Sequence, residues 1–150
     1  MLHARSSFWE RNDQQGKDAM KKARVIAIKV LKDDDPTEYI AFNLNFVGLA
    51  IMYYAHDESQ AEPLLGLLNE CEALRIKRNN EQGKLFSYGK DEELEIIASR
   101  VSVLQLTKQK AEILKYSYAY ADVMCKDHTQ TNPDQAIFAE IQSLFIKAVA

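Results

Sequence analysis

Five glycines and three prolines among 150 residues leave little material for turns, and two cysteines leave little for a disulfide framework. So few helix breakers favour long helices. Cys71 and Cys125 both fall in helical-looking stretches and lack the dense, even spacing of a secreted scaffold. They point to a reduced, intracellular protein. The opening stretch "MLHARSSFWERNDQQGK" carries no apolar run of seven residues, so no secretory leader is expected and the cytoplasm is the expected compartment.

Recognisable chemical motifs are equally scarce. No GxGxxG, no P-loop and no Gly-x-Ser-x-Gly turn occurs, so a nucleotide cradle or a nucleophile elbow is not expected. Three histidines give one compact ligand pair, Cys125 with His128, and a pair does not make a metal site. Both cysteines sit in apolar stripes, where a thiol is structural rather than nucleophilic. An enzyme built from scattered carboxylates such as Glu92, Glu93 and Glu95 is the remaining catalytic option, and a charged first turn of a helix is the simpler account of them. No catalytic residue, cofactor or metal is therefore assigned.

What the chain does have is apolar helical surface. The seventeen residues "YIAFNLNFVGLAIMYYA", Tyr39 to Ala55, contain only Asn43 and Asn45 as plainly polar side chains. Seventeen residues at 1.5 Å rise reach roughly 25 Å, short of a hydrocarbon layer of about 30 Å. No Lys or Arg stands between residues 33 and 74 to anchor either end. A buried core helix is expected, not a membrane span. Apolar on all sides, it should be surrounded by others.

Helical spacing predicts a first helix over about 14–32, with Met20, Ala23, Ala27, Val30 and Leu31 inward. Asp35 and Pro36 form a cap and first position for the apolar helix near 37–56. A third helix spans about 59–78, with Arg75, Lys77 and Arg78 favoured by the dipole at its end. "NNEQGKLFSYGK" is expected to be a loop of about twelve residues. From Asp91 to about Asp127 no Gly or Pro intervenes, yet the seam Leu94, Ile97, Val101, Leu104 gives way to Leu106, Ile113, Tyr120 in another phase. A bend near Thr107–Lys110, or else a protruding dimer, is expected, because one helix of roughly 55 Å would overrun a 17.1 kDa domain. Asn132 and Pro133 start a last helix with Ile137, Ile141, Leu144 and Phe145 on its apolar side. No strand alternation and no clean 34-residue period occurs. The expectation is an all-α chain, five or six helices in one bundle or helical-hairpin array, forming a single domain over 1–150 with an N-terminal arm over 1–13.

Charge is uneven. Residues 1–32 hold eight basic and three acidic side chains, and residues 33–74 hold nine acidic and no basic ones. Lys17, Lys21 and Arg24 are the candidate anion-binding set of an alternative reading, a nucleic-acid-associated regulator. The pI of 5.6 argues against a nucleic-acid partner, and packing of the basic first helix near the acidic segment accounts for the same charges. Aromatics suggest a different partner. Phe8 and the only Trp, Trp9, stand in the arm, where they dock on the chain's own body or anchor in another protein. Tyr116 and Tyr120 share one helical face and, with Phe8 and Trp9, are the candidate protein-binding residues, a half-buried core position being the alternative for the two tyrosines. These observations together lead to an accessory or regulatory protein-interaction module that binds another protein and forms a homodimer, with a small hydrolase or metal enzyme as the remaining alternative.

Overall fold

The structure, a computed structural model, describes residues 13–55, 57–82 and 88–125. Five α-helices follow one another there: α1 (Asp13–Val30), α2 (Pro36–Tyr53), α3 (Ala61–Gln82), α4 (Tyr88–Leu104) and α5 (Lys110–Cys125). Short 3-10 turns, Glu58–Gln60 and Gln105–Thr107, precede α3 and follow α4. No strand occurs among the described residues, so the chain is an all-α bundle. The arm with Phe8 and Trp9, the histidines His56 and His128, and the expected last helix lie outside the described residues.

Capping explains the first corner. Asp35 Oδ1 accepts a hydrogen bond from the Glu38 backbone N–H at 3.1 Å, and Pro36 fills the first position, where no N–H is needed. Asp57 caps the next turn through Ser59 N at 3.1 Å. Its carboxyl is held below the usual carboxylate range, first by the Ser59 hydroxyl bonded to it.

Helix α2 packs against α1, α3 and α4. Ile40, Asn43 and Val47 are wholly buried in its middle. Burial of an aliphatic side chain of this size contributes roughly 1.5–3 kcal/mol. The helix is nevertheless open along one line. Ala41, Asn45, Gly48 and Met52 are exposed, so it is not enclosed on every side as the sequence suggested. Ala41, Asn45 and Gly48 expose little apolar surface, which leaves Met52 as the one large apolar side chain on that line.

Helix α4 carries two apolar faces and joins two cores. Ile96 and Val103 enter a cluster with Met20 of α1, Leu44 and Val47 of α2, and Leu68 and Cys71 of α3. Ile97, Val101 and Leu104 meet Ile113 and Tyr120 of α5. That is why no single stripe describes α4. The chain then reverses where the apolar phase shifts: Lys108 adopts φ 55, ψ 27, and Thr107 Oγ1 donates to Leu104 O at 2.9 Å. One long helix is thereby avoided, and α5 folds back on α4.

Two boundaries differ from expectation. Helix α3 runs on to Gln82 and α4 begins at Tyr88, so most of the expected twelve-residue loop is helical. Cross-helix ion pairs supply the reason. Arg78 grips Glu92 with both nitrogens, Nη1 to Oε1 at 3.0 Å and Nη2 to Oε2, and Nη1 also donates to Thr37 Oγ1 at 2.9 Å. Arg75 Nη1 reaches Glu93 at 3.4 Å. These arginines were expected to serve the helix dipole and those glutamates a charged first turn. Instead they bind one another and zip the two helix ends together.

Candidate interaction surface

Helix α1 lies on the rim. It packs chiefly on α2, and only Gly16, Met20 and Ala27 of it are buried. Gly16 sits where a Cβ would fall on the Tyr53 ring and hydroxyl, so any larger residue there requires the Tyr53 side chain to move. Tyr53 itself is buried, and burial pushes its phenol above the ordinary value.

Basic residues of α1 complete that contact. The Lys17 ammonium lies 4.7 Å from the centre of the Tyr54 ring, and the Arg24 guanidinium 5.6 Å from that of Phe46. Arg24 Nε is buried with no hydrogen-bond partner, so the ring face is its compensation. Of the candidate anion-binding residues, two therefore stand over aromatic rings, Lys17 over Tyr54 just past the end of α2 and Arg24 over Phe46 within it. Lys21 alone is exposed, on the outer side.

The outer side is apolar in its C-terminal half. Val25 is 67%, Ile26 61%, Val30 54% and Ile28 42% exposed. Val30 is expected inward but is 54% exposed, because the helix ends there and no neighbouring element among the described residues reaches far enough to cover its last turn. Val25, Ile26 and Ile28 are not among the residues that helical spacing assigns to the core. A signal existed: "VIAIKV" puts apolar side chains on more sides of a helix than one core can cover. Lys21, Lys22 and Lys29 stand among these residues and are exposed. Asp33 and Asp34, also exposed, follow at the end.

The second group of candidates is used within the chain. Tyr116 is half-buried, with the Arg100 guanidinium 5.1 Å and the Lys115 ammonium 5.4 Å from its ring centre. Arg100 is buried, donating to Asn69 Oδ1 at 2.6 Å and Glu72 Oε2 at 3.0 Å. Tyr120 is only 3% exposed, whereas Tyr118 between them is 64% exposed. The structure thus places Tyr116 and Tyr120 on α5 against α4, away from the α1 face.

A cleft of about 500 Å³ opens between the Asp33–Thr37 turn and the end of α3. Its cations are already matched. Lys32 meets Glu70 at 2.6 Å, which raises the lysine's pKa, Lys77 meets Glu81 at 3.9 Å, and Arg78 holds Glu92. No three His, Cys, Asp or Glu side chains converge on a metal position among the described residues. Cys71 is free and buried, and burial pushes its thiol up to about 12, so it is not a nucleophile at neutral pH. No helix among the described residues is long and apolar enough to cross a membrane.

No protein-family model, curated protein or solved structure matches the chain.

Proposed function

We propose that this chain is a protein–protein interaction module, an accessory or regulatory binder that performs no catalysis, self-associates, and engages its partner through the outer face of α1. One observation supports the proposal above the rest. Four β-branched residues, Val25, Ile26, Ile28 and Val30, stay exposed on a single rim helix, where isolated exposed apolar residues are ordinary but a grouped set marks a contact surface. Lysines around them keep such a face soluble until it is covered. We assign it to the cytoplasm, where a free thiol such as Cys71 remains reduced.

The nucleic-acid alternative draws less support. Two of its three cations, Lys17 and Arg24, are committed to Tyr54 and Phe46.

Sedimentation equilibrium of the full chain over a wide concentration range tests the proposal. The mass is expected to rise from 17.1 kDa toward twice that value, and Val25→Lys/Ile26→Lys is expected to remain at 17.1 kDa. A wild-type mass that never rises would remove self-association. A variant that rises like the wild type would take the α1 face out of it.

A further inference from the structure

We infer that the occupant of the α1 outer face is the same face of a second copy, lying antiparallel to the first. The inference rests on the self-association proposed above and specifies its surface and direction.

Lys22, Ile26, Lys29 and Asp33 are spaced four, three and four residues apart, so they share one line along the helix. All four are exposed. The line continues past the last helical residue because Leu31 N donates to Ala27 O at 2.8 Å and Asp35 N to Leu31 O at 2.8 Å, which keeps Asp33 on the helical path. Val25 and Val30 flank this line on either side. Along the line the order is Lys22, Ile26, Lys29 and Asp33, with a base at one end and an acid at the other.

Charge decides the direction. A twofold interface presents the same patch from both copies, so the patch must complement itself under the rotation. In a parallel pairing Lys22, Lys29 and Asp33 would each face their own counterpart, and every charged pair on the line would repel. An antiparallel pairing centred between Ala27 and Ile28 sets Lys22 of each copy opposite the other copy's Asp33, at equal distance from the axis. It sets Lys29 over the other copy's Ile26, where the lysine stem covers the aliphatic side chain and the ammonium reaches water. Within its own chain Asp33 has Lys29 four residues back on the same line, and Lys32 beside it is engaged with Glu70, so the pairing between copies adds to an exposed in-chain contact.

Size limits the strength. One face of an 18-residue helix, roughly 27 Å long and about 10 Å wide, offers on the order of 300 Å² per copy. A standard interface takes about 800 Å² from each partner, so the dimer is weak and concentration-dependent.

A charge exchange read by sedimentation velocity on the full chain tests the pairing. Lys22→Asp alone and Asp33→Lys alone are each expected to weaken the dimer roughly tenfold, the scale of two exposed ion pairs turned repulsive. The double variant Lys22→Asp/Asp33→Lys is expected to restore the wild-type dissociation constant. Restoration supports the antiparallel pairing, because either residue acting alone predicts additive losses. A wild-type dimer indifferent to all three variants overturns the pairing while leaving self-association standing. A wild-type monomer at every concentration overturns both, and leaves the face to the chain's own residues 1–12 or 126–150 or to a different protein.

Discussion

The α3–α4 seam and the outer side of α1 are built from the same classes of residue, cations beside aliphatics, and use them in opposite ways. At the seam, Arg78 and Arg100 are buried and each meets a carboxylate, while the aliphatics around them fill the core. On α1, Lys17 and Arg24 stand over the rings of Tyr54 and Phe46, and the aliphatics are exposed. What a cation does is set by what faces it. Arginine's planar fork can satisfy two carboxylate oxygens at once, which makes it tolerable in a dry seam; a lysine stem covers apolar surface and keeps its charge wet.

Breaking the seam should have the largest effect. Arg78→Met leaves Glu92, whose side chain is only 16% exposed, without its partner, and is expected to lower unfolding stability by about 3 kcal/mol in urea titration. Adding Glu92→Met should recover most of that loss, since a well-packed apolar pair often replaces a buried ion pair at little cost. A single-variant loss under about 1 kcal/mol would put Arg78 in the same class as a surface pair and erase the contrast with α1.

Next in size comes the contact that fastens the rim. In a helix interior, Gly→Ala normally stabilises by roughly 0.5–1 kcal/mol, but at Gly16 the new methyl would occupy the Tyr53 side chain. Gly16→Ala is therefore expected to destabilise by about 2 kcal/mol, the scale of an overpacked core position. Hydrogen exchange should show faster opening in α1 than in α3 and α4. In the background of Tyr53→Leu the same substitution should lose most of its effect. A stabilising Gly16→Ala would show that α1 is free to shift off α2.

Much of this architecture was readable from residues alone, because its causes are local. Asp35 and Pro36 mark a helix start by their own backbone chemistry, and the phase shift between Leu104 and Leu106 announces the reversal at Lys108. What could not be read depends on pairs far apart in the chain. Nothing local to Arg78 names Glu92 or Thr37, so from sequence its charge points only to the helix dipole and α3 ends four residues early. Nor does anything local to Arg24 name Phe46, the ring its guanidinium stands over. For Val30 the error lay in the pattern itself. In a helix with apolar residues on several sides, periodicity cannot say which side faces the core, and the choice fell partly on the outer one.

The smallest expected effect separates a face kept for the fold from one kept for contact. Ile and Ser have similar helix propensities, so Ile26→Ser changes burial and little else. At 61% exposure, Ile26 should lose no more than about 0.5 kcal/mol on that change, measured at a protein concentration low enough to keep the chain monomeric. Ile96, which is 2% exposed on α4, provides the reference, and Ile96→Ala is expected to lose about 2–5 kcal/mol. A loss of about 2 kcal/mol at Ile26 would mean that other residues of the same chain cover it, making the rim part of the core. A negligible loss in the monomer, joined to a weaker dimer at high concentration, would leave Ile26 with no task inside the chain, because the only stability it then supplies is stability that a second copy shares.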